Sequence, residues 1–156
     1  MQAIEIIDYD SQYADEFVRI NVNWVEKYFR MEEVDKQVLY EHKKNILDKG
    51  GHIVFAKLGD RIVGTCALKK EENEVYELTK MGVDEDMQGK GIGHSLMQAV
   101  IEKYQSLQGK QLYLETNSIL KNAIHLYEKY GFVDQGGPKP GTEYARADVY
   151  MIWQPK

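Results

Sequence analysis

At 156 residues, with 43% hydrophobic and 29% charged side chains, the chain suits one domain large enough to bury its own core. No apolar run approaches membrane-spanning length, and the mean hydropathy of -0.53 agrees. A net charge of -5 and a pI near 5.4 argue against nonspecific nucleic-acid binding, which needs basic residues against phosphates, and favour a small or cationic partner.

The opening Met1-Gln2-Ala3-Ile4-Glu5 lacks a basic start followed by an apolar core, so no secretory leader is read there and a cytoplasmic location is expected. Ile4, Ile6 and Tyr9 suggest a short strand, with Asp10 or Ser11 capping a helix that carries Tyr13, Phe17, Ile20 and Trp24 at helical spacing. Trp24 to Met31 holds more aromatics than one face buries. Asp35 is read as the cap of a second helix through Val38, Leu39, Ile46 and Leu47, ended by Gly50-Gly51. His52–Lys57 and Arg61–Lys69 read as strands joined around Gly59-Asp60, and Glu71 to Glu74 turns the chain into a central strand, Val75–Val83. Cys66, the single cysteine, falls inside one of these strands and is read as core packing.

After the central strand come Gln88-Gly89-Lys90-Gly91-Ile92-Gly93 and a helix with Ile92, Leu96, Val100 and Tyr104 on one face. Three glycines at a helix start let backbone N–H groups reach a ligand unobstructed, and the helix dipole adds positive potential, so the stretch reads as a cradle suited to a diphosphate. A Walker loop fails because Gly91, not Ser or Thr, follows Lys90; the dinucleotide fingerprint fails because Ile92 and Leu96 stand where its third glycine is required. Gln111–Asn117 reads as a strand parallel to Val75–Val83, completing a strand-helix-strand crossover. Asn117 or Ser118 is expected to start another helix that ends at Gly131, and Arg146–Trp153 reads as the last strand after a loop holding Pro138 and Pro140.

The loop resembles that of the GNAT acyl-CoA-dependent N-acetyltransferases, Gln/Arg-x-x-Gly-x-Gly/Ala, and Leu126-Tyr127-Glu128-Lys129-Tyr130-Gly131-Phe132 is similar to that family's Leu-Tyr-x-x-x-Gly-Phe. The likeness is close from Glu77 to Phe132. It implies an α/β (α+β) single domain with a mixed, mostly antiparallel central sheet, a parallel strand-helix-strand crossover and helices on both faces. It implies acetyl-CoA as cosubstrate, held by Met81, Gly82 and Val83, by Gln88, Gly89, Lys90, Gly91, Ile92 and Gly93, and by Asn117. Lys90 has an electrostatic case of its own, and His94 is the histidine nearest this loop. Where the family commonly has asparagine, this chain has Leu120; Asn117 or Asn122 could substitute, neither at that position, and the strand-end Asn117 is the one carried as a cofactor contact.

An alkylammonium acceptor, with a pKa near ~10.4, must lose a proton before it can attack an acetyl carbonyl. By resemblance Glu77 is the base, with Glu115 in reserve, and removing the Glu77 carboxylate is expected to hurt turnover most at low pH. Tyr127, by the same resemblance, assists departure of the CoA thiolate. Tyr28 and Phe29 are implied in the acceptor site, whose ligand is a small-molecule or peptide amine. His42, His52, His94 and His125 are too scattered for a metal site, so no metal is expected. No membrane partner is expected, a homodimer is compatible with the family, and a catalytically silent acyl-CoA-binding domain is the competing reading.

Overall fold

The structure, a computed structural model, describes residues 3–155; Met1 and Gln2, from the opening run, lie outside the described residues. Seven strands form one sheet in the order β1-β2-β3-β4-β5-β7-β6. These are β1 (Ile4–Asp8), β2 (His52–Leu58), β3 (Arg61–Lys70), β4 (Val75–Val83), β5 (Gln111–Thr116), β6 (Phe132–Asp134) and β7 (Val149–Trp153). All neighbours are antiparallel except β4 and β5, which the helix α3 (Ile92–Ser106) connects as a crossover.

Side-chain alternation divides the core in two. Along β2, Val54 and Ala56 join Leu96, Met97 and Val100 of α3 on one face, whereas Ile53 and Phe55 join Phe17, Ile20, Val38 and Leu39 on the other. The second face is covered by α1 (Ala14–Tyr28) and α2 (Glu33–Tyr40), and the first also carries α4 (Lys121–Lys129). Cys66 lies fully buried among the α3 contacts, where burial pushes its thiol up and keeps it an inert packing group.

Three sequence expectations need correction. Asp35 is not the cap of α2: Glu32 is, and Asp35, at the third helical position, accepts a hydrogen bond from the Glu32 amide in a reciprocal capping box. That helix stops at Tyr40, where the Glu41 amide and Asn45 Nδ2 both donate to the Gln37 carbonyl and His42 Nδ1 meets the Leu39 carbonyl, and Ile46 and Leu47 fall in a separate π-helical turn, Lys43–Leu47. Neither Asn117 nor Ser118 caps α4, which begins after Leu120. Their side chains are engaged elsewhere: Asn117 Nδ2 donates to the Arg146 carbonyl at 2.6 Å and Ser118 Oγ to Asp148 at 2.8 Å. The same bonds hold Arg146 to Asp148 in a turn, so β7 starts at Val149 rather than at Arg146.

Candidate active site

The β4–β5 pair is short. Its parallel register runs through Val75–Gln111, Tyr76–Leu112 and Glu77–Tyr113 and stops there, while β5 continues against β7 as far as Thr116–Val149. Beyond Glu77 the two strands part, and a cleft of about 720 Å³ opens between Leu78–Val83 on one side and Leu114–Asn117 on the other. That size suits a small organic ligand, and the carboxyl ends of parallel strands are where α/β sheets open such crevices.

One end of the cleft is built from backbone. Gly91 is the N-cap of α3, the first intrahelical hydrogen bond runs from Ser95 N to Gly91 O, and the amides of Ile92, Gly93 and His94 precede it. Gly89 and Gly91 both adopt φ +79°, and a Cβ on either would meet nothing within 4 Å. Their glycine identity therefore answers to left-handed backbone and open space over the amides, not to packing. Gln88, Gly89, Gly91, Ile92, Gly93 and His94 line the cleft; Lys90 is exposed and is not among its lining residues. His94 also meets the Tyr130 hydroxyl at 3.3 Å. The helix dipole and free amides fit an anionic group with no side chain in the way.

The middle of the cleft is a β-bulge. Thr65 pairs with Gly82 and Ala67 with Thr79, so Cys66 faces two residues, Lys80 and Met81. Lys80 takes φ +53°, a costly backbone for a long side chain. Met81, Gly82 and Val83 line the cleft, and a Cβ on Gly82 would lie 2.8 Å from both Ile20 and Trp24, which makes glycine the fit for the approach of β4 to α1. Opposite, Tyr127 of α4 lines the cleft and is 9% exposed. Burial raises its hydroxyl well above the ordinary tyrosine range, so it stays protonated at neutral pH and can only donate or accept a hydrogen bond. Asn117 and Leu120 also line this part, Asn117 with its amide bonded to Arg146 O and Ile119 N.

The far end carries side-chain charge. Strand alternation turns Glu77 away from Tyr76 and Leu78 and onto the α1/α2 face, where it is 5% exposed yet lines the cleft. Burial, opposed by Lys69 and reinforced by Glu115, raises its carboxyl to about 7. Glu115, two residues beyond the Glu77 partner Tyr113, lines the same end, and its Oε1 is buried without a hydrogen bond among the described residues. Trp24, Tyr28, Phe29, Lys80, Tyr144 and Arg146 complete the walls.

Sequence reasoning missed the frame of this end. Asp35, fully buried, receives Arg146 through both guanidinium nitrogens at 2.6 and 2.7 Å and Lys80 Nζ at 2.8 Å. Burial alone would raise the Asp35 carboxyl, but the Arg146 bonds and the Lys80 charge outweigh it and hold it far below the usual range. Burial pulls the Lys80 ammonium down from the ordinary lysine value, with Asp35 opposing. Glu32 accepts from Arg146 at 3.1 Å and from the Ala145 amide at 2.8 Å, and the Arg146 guanidinium stacks 5.0 Å from the Tyr144 ring centre and 5.6 Å from that of Phe29. Residues from α2, the bulge and the turn before β7 thus meet across gaps of 45 and 111 positions, a distance that no local motif encodes.

Comparison with known proteins agrees with this geometry. The chain is similar to a crystal structure of a GNAT-family acetyltransferase from Staphylococcus aureus Mu50, with a TM-score of 0.86, 25% identity and coverage of 99% of this chain and 100% of that one. It is 30% identical over 101 residues to the uncharacterized N-acetyltransferase YvbK of Bacillus subtilis (strain 168), covering 63% of this chain and 65% of YvbK. It is 29% identical over 104 residues to the N-alpha-acetyltransferase RimI of Mycobacterium tuberculosis, covering 65% and 64%. These alignments span a little under two thirds of the curated relatives' lengths. The profile described as Acetyltransferase (GNAT) family matches residues 18–132, from α1 through the bulge, the glycine loop and α4 to Phe132, and this chain belongs to that family of acetyltransferases.

Proposed function

We propose that the protein transfers the acetyl group of acetyl-CoA directly to a primary amine of a small molecule or peptide. The observation that carries this reading is one continuous cleft, with helix amides at one end and, at the other, a buried Glu77 that has no side-chain hydrogen bond among the described residues. Acetyl-CoA supplies the activated acyl group. The amides at the start of α3 face its diphosphate, with Gln88, Gly89, Gly91, Ile92 and Gly93 forming the cradle, and Lys90 adds only longer-range charge. The backbone of Met81, Gly82 and Val83 orients the acyl arm, and Asn117, already tied to Arg146 O, fixes the opposite wall.

Glu77 takes one proton from the acceptor ammonium, the freed nitrogen lone pair forms the new C–N bond as the C–S bond breaks, and the second proton that this nitrogen sheds leaves with the departing thiolate as the CoA thiol. The Tyr127 hydroxyl, kept protonated by burial, donates a hydrogen bond to the departing sulfur and does not act as a base. Because Glu77 holds its own proton up to about 7, its base function operates above that pH. On this reading the window for its contribution lies between about 7 and the ~10.4 of a free alkylamine, a higher range than the low-pH one expected from the sequence.

The test is a thiol-release assay with acetyl-CoA and a panel of primary amines, with products identified by mass spectrometry. Acetylated amine is the expected product. Acetyl-CoA binding without turnover of any amine or peptide would instead support the silent acyl-CoA-binding domain.

A further inference from the structure

The acceptor end of the cleft has an uneven charge account. Its two cations are already matched: Lys80 bonds Asp35, and Arg146 bonds Asp35 and Glu32. Its two carboxylates are not. Neither Glu77 nor Glu115 has a cation within ion-pair distance among the described residues; Lys69, across the sheet from Glu77, is paired with Glu71 at 3.5 Å. Glu77 is 5% exposed without a side-chain hydrogen bond, and Glu115 has an oxygen buried without a donor. A buried carboxylate oxygen without a donor, as at Glu115, is destabilising unless a ligand brings that donor, and Glu77 opens only onto the cleft that the ligand would fill.

Resting on the acyl-transfer reading, we propose that the acceptor is an amine carrying a second positive charge, with its reacting nitrogen at Glu77 and its distal ammonium at Glu115. The distal group keeps its protons and forms no covalent bond. Glu115 stands two residues past the strand neighbour of Glu77 and on the same face, so an unbroken parallel register would set the two backbones roughly 8 Å apart and the parting of the strands sets them somewhat further, a span of the order that a diamine of about four to six carbons bridges. Trp24, Tyr28, Phe29 and Tyr144 enclose the methylene stem. A carboxylate at the distal position is disfavoured, because the Arg146 and Lys80 charges that would receive it are held by Asp35.

The experiment compares 1,4-diaminobutane, butylamine and 4-aminobutanoate by calorimetric titration and by kcat/KM with acetyl-CoA, using the wild-type chain and Glu115→Gln. The diamine should exceed butylamine by roughly 10- to 100-fold in both measurements, as a charge-assisted bond implies, and 4-aminobutanoate should be poorest. Glu115→Gln should collapse the diamine-to-butylamine ratio in kcat/KM and in affinity toward one, whatever it does to either amine alone. Equal efficiency for diamine and monoamine, or preference for 4-aminobutanoate, would overturn the proposal and leave acyl transfer standing. Tight diamine binding without acetylated diamine would overturn the proposal that the diamine is the acceptor, and the wider amine panel then decides separately whether acyl transfer stands. If Glu115→Gln fails to fold, the wild-type ranking of the three compounds decides alone.

Discussion

The two ends of the cleft are built on different physical plans. The α3 end presents backbone amides, a helix dipole and glycines with positive φ, all within one short stretch of chain. At the Glu77 end it comes from buried side chains drawn from α1, α2, β4, β5 and the turn before β7. A backbone site tolerates most side-chain change but depends on conformation. A buried ionic site is the reverse: its charges compensate one another only while every partner is present.

The sharpest way to break this contrast is Asp35→Ala. It leaves Arg146 and Lys80 desolvated without their shared carboxylate and is expected to cost about 3–5 kcal/mol of stability, as for other broken buried ion pairs. Urea unfolding checks this. A midpoint equal to wild type would mean that the cluster is not holding the acceptor wall.

Glu77→Gln comes next and acts on chemistry. Turnover is expected to fall by about 10²–10⁴-fold near pH 8, with acetyl-CoA affinity unchanged and the wild-type rise of rate through about pH 7 abolished. The same substitution has a stability signature. A carboxyl whose folded value is raised from 4.5 to about 7 binds more protons when folded, so wild-type stability declines as pH rises across that window, and the glutamine variant should lose that decline. An unaltered pH–rate profile would remove Glu77 from the base role.

These two predictions bear on what the chain revealed before its structure. The glycine loop and α3 were legible because strand, turn and helix signals lie next to one another, and β4 was read with its observed ends, Val75–Val83. Glu77 was legible as a residue but not as an environment: alternation gives it a face, whereas its place on a cleft wall depends on the early separation of β5. Lys80 was invisible for a further reason. Regular alternation would place it with Tyr76 and Leu78 beside α3, and the bulge turns it instead toward Asp35 of α2. Asp35 and Arg146 each had a satisfactory local reading, as helix cap and strand residue, and that reading concealed the bond between them.

Tyr127→Phe sits at the junction of the two plans. The ring packs edge-on against Phe132 in either form, so stability and acetyl-CoA affinity should change little. The chemical step should slow by about 10²-fold, the lower end for acid assistance because a thiolate leaves readily. Single-turnover measurement isolates that step. No change there would leave Tyr127 as a packing residue of the cleft wall.

The smallest effects belong to the backbone end, where Gly91→Val and Lys90→Ala separate conformation from charge. No protein atom lies within 4 Å of a Cβ at Gly91, so steric collision inside the fold is not the reason to expect a loss. The reason is φ +79°, which a β-branched residue adopts at a cost of about 1–2 kcal/mol, together with the branched side chain it would place over the free amides. Calorimetric titration should show acetyl-CoA binding weakened roughly tenfold, with the fold confirmed by its thermal transition. Lys90 is exposed outside the cleft lining, and its removal takes away only a screened charge, so affinity should fall by less than about threefold and by less still at high salt. Should Lys90→Ala prove the more damaging of the two, the diphosphate would be held by side-chain charge, and the division between a backbone end and a charged end would be wrong where it is drawn.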